Sequence, residues 1–118
     1  MTMNRTVAPR DDATTVVIID DHRVFAGLLG EVFVAHGLDV VGIYGNLADG
    51  LVAVSAMAPD LVILDHRLPG DTGASSVKTL KGRSPATRVL MLTASDERAV
   101  LLEAMDAGCD GFVTKRQD

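Results

Sequence analysis

The chain has 118 residues, 47% of them hydrophobic, which suits one domain with a buried core. Sixteen acidic against eleven basic residues leave a formal net charge of −5, and this argues against direct nucleic acid binding by this segment, because phosphates require a basic face. A single cysteine excludes an internal disulfide and indicates a cytoplasmic protein, and no apolar run approaches the roughly 18 residues of a membrane span.

The first half of the chain predicts two strands and two helices after a polar, flexible extension, residues 1–14. The β-branched run Val16–Asp20 is typical of a strand buried on both faces. Asp39–Tyr44 predicts the second strand, and Asn46 is the expected N-cap of the second helix. The first helix is predicted by one apolar stripe at helical spacing, which ends near Gly37 and consists of Val24, Phe25, Leu28, Leu29, Val32 and Phe33.

The second half predicts three further strands and two helices. A weak helical pattern covers about Gly73–Gly82. Ser95 or Asp96 is expected to begin a fourth helix, which ends at Gly108. The three predicted strands are Leu61–Asp65, Arg88–Thr93 and Gly111–Thr114.

Polar residues stand at the carboxyl ends of four predicted strands. Alternation of strands and helices predicts a parallel sheet covered by helices on both faces, and in such a sheet the carboxyl ends share one edge. Taken singly, each of these polar residues is more often a turn residue or a solvated charge than part of a functional site. Together they predict one cluster of three carboxylates, a hydroxyl and an ammonium, formed by Asp20, Asp21, Asp65, Thr93 and Lys115.

This cluster has the chemistry to hold a divalent cation and to accept a phosphoryl group. Close carboxylates raise one another's pKa unless a cation joins them, and Mg²⁺ prefers oxygen ligands, waters and a phosphate oxygen. Asp65 is the candidate nucleophile, and it would form an aspartyl phosphate. Lys115 and Thr93 are the candidate donors to the phosphoryl oxygens.

Over about Thr15 to Lys115 the chain resembles the receiver domains of bacterial two-component response regulators. The Asp-Asp-His start and the Gly-Phe-Val-Thr-Lys ending are most similar to regulators that carry a LuxR/NarL-type helix-turn-helix output domain. The resemblance rests on Ile19-Asp20-Asp21-His22, Asp60-Leu61-Val62-Ile63-Leu64-Asp65, Leu68-Pro69-Gly70, Leu92-Thr93-Ala94 and Ala107-Gly108-Cys109-Asp110-Gly111-Phe112-Val113-Thr114-Lys115.

The resemblance implies a flavodoxin-like (CheY-like) doubly wound sheet of five parallel strands in the order 2-1-3-4-5. It also implies a role for each residue of the cluster and for two residues near it. These roles are phosphoacceptor for Asp65, Mg²⁺ ligands for Asp20 (largely through water), Asp21, Asp65 and the backbone carbonyl of Arg67, phosphoryl contacts for Thr93 and Lys115, and a switch for Thr93 and Phe112.

The implied function is a signalling phosphoacceptor rather than an enzyme, with only autocatalytic phosphorylation and dephosphorylation. A sensor histidine kinase would donate the phosphoryl group, and phosphorylation would bias an equilibrium between inactive and active forms. The expected output is transcription, through a C-terminal DNA-binding domain beyond residue 118.

The chain departs from the family pattern near its end. It stops three residues after Lys115, where a fifth helix is expected, so residues 15–118 are interpreted as a receiver cut before that helix. Apolar surface near the first and last strands is then expected to promote association, which leaves a homodimer open although the fifth helix usually belongs to the dimer face. Arg116 replaces a common proline, so no cis peptide is expected there. Arg67 and Ser95 occupy positions that flank the phosphoryl group.

Three other functions stay open. A small aspartate-nucleophile phosphatase has a similar topology, but Arg67 stands where such enzymes usually place a second carboxylate. A pseudo-receiver that never takes phosphate is disfavoured by the full acidic set. A flavin or nucleotide binder is disfavoured because the sequence has neither a Walker loop nor Gly-x-Gly-x-x-Gly. His66 beside Asp65, like His22 and His36, is interpreted as a loop histidine without a role.

Overall fold

Strands and helices alternate through the described part of the chain, as the hydrophobic pattern predicts. The computed structural model describes residues 12–70, 72–93 and 98–115. None of the described helices has the length and apolar character needed to cross a membrane. Most of the predicted extension, the predicted helix starts Ser95 and Asp96, and Arg116 lie outside the described residues. The elements are β1 Thr15–Ile19, α1 Arg23–Ala35, β2 Asp39–Tyr44, α2 Leu47–Met57, β3 Leu61–Asp65, α3 Gly73–Arg83, β4 Arg88–Thr93, α4 Arg98–Asp106 and β5 Gly111–Thr114.

The five strands form one parallel sheet in the order β2-β1-β3-β4-β5, which confirms the flavodoxin-like fold. The register aligns the strand ends, because Ile19 lies opposite Leu64 and Thr93 lies opposite Thr114. The residue that follows β1 is therefore level with Asp65, the last residue of β3. The edge at which parallel strands end is the edge where this fold places its ligands.

Three of the described helices cover one face of the sheet, and α1 covers the other. Val54 of α2, Val77 of α3 and Ala104 of α4 belong to a single buried cluster with side chains of the sheet. Phe25 and Leu29 of α1 pack against a separate cluster on the opposite face. Apolar residues thus cover both faces of the central strands, which explains why their sequences are continuous apolar runs rather than alternating ones.

Only half of the apolar stripe predicted on α1 faces the core. Phe25, Leu29 and Phe33 pack against the buried residues of that face. The single stripe predicted from the sequence consists of two rows in the structure, because side chains offset by one residue lie about 100° apart around a helix, and the sheet contacts only one of the rows. The other row is exposed, by 79%, 58% and 51% respectively, at Val24, Leu28 and Val32.

The predicted cap of α2 is present. Asn46 has an extended backbone, and its side chain accepts a hydrogen bond from the Asp49 N–H at 2.8 Å and donates one to the Asp49 carboxylate at 3.0 Å. A similar cap at Thr72, which accepts from the Ser75 N–H at 3.2 Å, begins α3 and was not predicted from the sequence. Both caps satisfy backbone donors that a helix leaves free in its first turn.

Candidate functional site

The carboxyl edge of the sheet brings together polar residues from four strand ends. Lys115 Nζ lies 3.0 Å from Asp20 Oδ2 and 3.4 Å from Asp65 Oδ1. Asp20, Asp65 and Thr93 are buried, whereas Asp21 is exposed at the mouth of the cluster. The structure therefore places all five residues of the predicted cluster at this edge, with two carboxylates and one ammonium in direct contact.

Two contacts hold Lys115 over the carboxylates. Its backbone N–H donates to the Thr93 carbonyl at 2.6 Å, which ties the end of β5 to the end of β4. Its Nζ lies 4.7 Å from the centre of the Phe25 ring, a cation–π distance. Phe25 belongs to α1, so the ammonium is held between a helix on one face of the sheet and the acidic pair at the sheet edge.

The hydroxyl of Thr93 is bordered by a histidine. Thr93 Oγ1 lies 3.4 Å from His66 Nδ1, and the His66 backbone N–H donates to the Leu92 carbonyl at 2.8 Å. His66 directly follows the candidate nucleophile Asp65 in the chain. The residue given no role from the sequence thus lies against the predicted phosphoryl contact.

The electrostatic environment disfavours the charged form of Asp65. Burial raises the pKa of this carboxyl above its ordinary value of 3.8, and the nearby charge of Asp20 raises the pKa further. The charge of Lys115 and hydrogen bonds from the Arg67 backbone and from Lys115 oppose this rise without cancelling it. A cation in the cluster would favour the ionised carboxylate, which is the nucleophilic form.

His22, for which the sequence pattern predicts no role, lies among the carboxylates. Its Nδ1 is 3.1 Å from Asp20 Oδ1, 3.5 Å from Asp21 Oδ1 and 3.9 Å from Asp65 Oδ2. The same nitrogen is 3.2 Å from Lys115 Nζ. The sequence pattern that could have indicated this position is its adjacency to Asp20-Asp21 at a strand end, where a side chain can turn back over the edge.

The remaining predicted residues lie around this cluster. The Arg67 side chain is exposed, and its backbone hydrogen bonds to Asp65. Phe112 lies on β5 and is exposed, so its ring is in an outward position. Ser95, predicted to flank the phosphoryl group, lies outside the described residues.

The donor set fits a divalent cation. One ligand atom from each of Asp20, Asp21, His22 and Asp65 lies within 4.8 Å of the others. Within the described part of the chain, the buried Asp65 Oδ2 has no hydrogen-bond partner. Asp20 Oδ2 is also without a hydrogen bond there, although the ammonium of Lys115 lies 3.0 Å away as an ion-pair partner. Leaving buried carboxylate oxygens unpaired is costly, and a shared cation removes that cost.

Comparison with known proteins places the chain in a protein family. Residues 16–118 match the family model of the response regulator receiver domain. The DNA-binding transcriptional activator DevR/DosR of Mycobacterium tuberculosis is 38% identical over 101 residues, which cover 85% of this chain and 46% of that protein. The nitrate/nitrite response regulator protein NarL of Escherichia coli is 28% identical over 105 residues, 88% of this chain and 49% of the relative. The chain spans about half the length of the curated relatives it matches.

Solved structures show the same fold. The signal receiver domain of NarL from Mycobacterium tuberculosis superposes with a TM-score of 0.80 at 33% identity, covering 90% of this chain and 86% of that chain. A response regulator protein from Burkholderia pseudomallei superposes with a TM-score of 0.81 at 28% identity, covering 89% of this chain and 61% of the other. The latter structure contains a phosphorylated aspartic acid, a calcium ion and citrate.

Proposed function

The chain belongs to the response regulator receiver family, and we propose that Asp65 accepts a phosphoryl group from a sensor histidine kinase in a Mg²⁺-dependent transfer. The observation that carries this proposal is the buried Asp65 carboxylate, 4% exposed, with Oδ1 beside Lys115 and Oδ2 lacking a hydrogen-bond partner among the described residues. The Asp65 carboxylate thus lies at the sheet edge with one oxygen beside an ammonium and the other without a hydrogen bond that competes with a cation.

The transfer follows from the charges around Asp65. A carboxylate oxygen of Asp65 bonds to phosphorus as the bond between phosphorus and the donor imidazole nitrogen breaks, which leaves an aspartyl phosphate and a free histidine on the kinase. Asp20, Asp21, Asp65 and the Arg67 backbone carbonyl would hold Mg²⁺, which when bound offsets their negative charge. Lys115 moves from an acidic partner to a phosphoryl oxygen as negative charge arrives there.

The switch in this proposal links Thr93 to Phe112. The Thr93 hydroxyl donates to a phosphoryl oxygen, and the space it vacates admits the ring of Phe112, which lies on the neighbouring strand β5. The ring starts from an exposed position, and inward packing removes apolar surface from water. Phosphorylation then shifts a two-state equilibrium and changes the surface around β5.

The output is proposed to be transcription in the cytoplasm, through a DNA-binding domain C-terminal to the receiver, residues 15–118. The chain covers about half of each curated relative, and one of these relatives is named a DNA-binding transcriptional activator. The net charge of −5 favours DNA binding by another part of the protein rather than by this segment. Catalysis in this proposal is limited to the chain's own phosphorylation and dephosphorylation.

The test is intact mass after incubation with acetyl phosphate and Mg²⁺. The parent is expected to gain one phosphate, whereas Asp65→Asn and a parent sample with EDTA gain none. Asp110→Asn, which removes a carboxylate far from the cluster, serves as the matched control and is expected to react like the parent. A folded, Mg²⁺-binding parent that gains no phosphate would instead support a pseudo-receiver, and an adduct on Asp65→Asn would assign the acceptor elsewhere.

A further inference from the structure

We propose that His22 is a metal ligand of the acidic cluster, so that this site binds a transition-metal dication of the Zn²⁺ or Co²⁺ class through imidazole nitrogen as well as Mg²⁺ through oxygen. The inference rests on the proposed function, because it concerns the cation held by Asp20, Asp21 and Asp65. It adds a nitrogen ligand to that site and a selectivity that carboxylates alone do not provide.

The spacing of the donor atoms is that of ligands around one ion. Metal bonds of about 2.0–2.2 Å to nitrogen and oxygen place neighbouring ligand atoms roughly 3 to 3.5 Å apart. His22 Nδ1 lies 3.1 Å from Asp20 Oδ1 and 3.5 Å from Asp21 Oδ1. Its distance to Asp65 Oδ2 is 3.9 Å, slightly longer than this range. One cation can therefore contact the imidazole and the carboxylates with small movements of side chains.

Two further observations point to a ligand at this position. Asp65 Oδ2 faces His22, is buried, and has no hydrogen-bond partner in the described ranges. The backbone N–H of His22 donates to Asp20 Oδ1 at 2.8 Å, which fixes the start of the histidine side chain against the cluster. The side chain itself is 66% exposed, so its ring can adjust to a cation entering from solvent.

Lys115 competes with the metal for the imidazole. In the tautomer that carries its proton on Nε2, Nδ1 has one lone pair, which can accept from Lys115 Nζ at 3.2 Å or bind a cation, but cannot do both. In the other tautomer Nδ1 donates to Asp20 Oδ1 at 3.1 Å, and metal binding requires that proton to be on Nε2 instead. When the lone pair turns to a metal, the ammonium keeps its ion pairs with Asp20 and Asp65. Loss of this contact leaves the lysine charge paired, so the cost of recruiting the histidine is small.

The ligand chemistry sets the selectivity. Imidazole nitrogen suits Zn²⁺ and related transition metals, whereas Mg²⁺ prefers oxygen ligands and water. His22 should therefore strengthen binding of Zn²⁺ and Co²⁺ and contribute little to binding of Mg²⁺. A bound Zn²⁺ would then compete with Mg²⁺ for the same carboxylates.

The test compares Co²⁺, Zn²⁺ and Mg²⁺ binding by the parent, His22→Ala, His22→Gln and His36→Ala. His36 is the matched control because it is an exposed histidine at the other end of α1.

Removing His22 is expected to weaken Co²⁺ binding by about tenfold or more, as measured by the visible absorption of bound Co²⁺. Mg²⁺ binding, followed by calorimetry, should change by less than about twofold, since Mg²⁺ uses oxygen ligands. Zn²⁺ should shift the ¹⁵N resonance of the His22 Nδ1, and His36→Ala should bind all three metals like the parent.

The outcomes separate this inference from the function on which it rests. If the parent binds Mg²⁺ and both His22 variants bind Co²⁺ as tightly as the parent, the histidine is not a ligand and the proposed function stands. Equal weakening of Co²⁺ and Mg²⁺ binding in both His22 variants would also overturn the inference, because it would show a structural role. A folded parent that binds none of the three metals would overturn both proposals.

Discussion

At the scale of single residues, the environment of the candidate nucleophile Asp65 lowers the stability of the folded protein when its carboxyl is ionised. Burial and the charge of Asp20 raise the pKa of Asp65, so its ionised form is less favourable in the folded protein than in the unfolded chain. A carboxyl with a raised pKa favours folding below its ordinary pKa, and this contribution is lost as pH rises through the raised value. At neutral pH without divalent cations, Asp65→Asn is therefore expected to increase the free energy of unfolding by roughly 1 kcal/mol, a typical size for a stabilising substitution.

The measurement is chemical denaturation in EDTA at several pH values. The stability difference between Asp65→Asn and the parent should grow as pH rises from below 3.8, the ordinary value for this carboxyl, to neutrality. Added Mg²⁺ should stabilise the parent more than the variant, since a ligand stabilises the state that binds it. A variant less stable than the parent at neutral pH in EDTA would contradict this account.

The position of the cluster could be predicted from the sequence, but the contacts within it could not. The positions of Asp20, Asp65 and Lys115 could be predicted because each residue follows or ends a continuous apolar run. The end of such a run is the end of a parallel strand, which lies at the carboxyl edge of the sheet. The position of His22 could not be predicted, because the direction of a side chain after a strand depends on the turn that follows. The cation–π contact of Lys115 with Phe25 depends on how α1 lies on the sheet, which local spacing does not specify.

At the scale of elements, the cap of α2 is a local stabilising feature that the sequence shows directly. The Asn46 side chain accepts from the Asp49 N–H at 2.8 Å, and replacement of such a cap by alanine costs about 1 kcal/mol. Asn46→Ala should therefore lower the free energy of unfolding by about that amount in urea denaturation. Asn46→Ser, which keeps a capping oxygen, should restore most of the loss, and equal stabilities of the alanine and serine variants would contradict the capping role.

A second element-scale prediction concerns the link between α3 and the segment before β5. Asp110 Oδ2 lies 2.7 Å from Lys81 Nζ and accepts from the Val89 N–H at 2.8 Å. Burial alone would raise the pKa of Asp110, but the hydrogen bonds from Lys81 and Val89 and the charges of Lys81 and Arg88 lower it overall. A lowered pKa gives stability that is present above the ordinary value of 3.8 and is lost as pH falls through the lowered pKa.

Asp110→Asn is therefore expected to have a lower free energy of unfolding than the parent at neutral pH. The difference between the two proteins should shrink in acid. The Asp110 side chain is 41% exposed, so solvent screening limits the ion pair to at most about 1 kcal/mol. A double-mutant cycle with Lys81→Met in denaturant unfolding isolates the contribution of the pair. A coupling energy that does not decrease with falling pH would contradict the assignment.

Helix α1 also shows that the hydrophobic periodicity of a sequence does not specify which apolar residues of a helix become buried. The alternation of apolar runs and helical patterns predicted each described strand closely. The inner strands β1, β3 and β4 are short apolar runs, as expected for strands covered on both faces, whereas β2 and β5 are only partly buried or exposed. On α1 the rows of Val24 and Phe25 are equally apolar, and composition alone did not show that the sheet would cover only the second row. The width of an apolar face on a helix thus indicates the area available for packing, not the area that the rest of the chain covers.

At the scale of the whole molecule, helices are distributed unequally over the sheet in the described part of the chain. Alternation of elements predicted helices on both faces, but not a division of three to one. That division follows from the strand order, because the connection from β1 to β2 runs in one direction across the sheet and the later connections run in the other. With right-handed crossovers, opposite directions place helices on opposite faces.

The face that carries α1 is expected to associate with a second copy of this chain. Val24, Leu28 and Val32 of α1 and Val113 of β5 are exposed. Val113 lies on this face because its register partner, Leu92, belongs to the cluster under α1, and a large exposed apolar patch favours association. Sedimentation velocity of residues 1–118 over a range of concentrations should therefore show a reversible dimer. The double variant Val24→Lys, Leu28→Glu should shift the equilibrium to monomer, because it places charges in the contact.

Val52→Lys, which changes an exposed valine of α2 on the opposite face, is the matched control and should dimerise like the parent. A parent that stays monomeric at every concentration, or a double variant that associates as the parent does, would show that these side chains do not form a self-association surface.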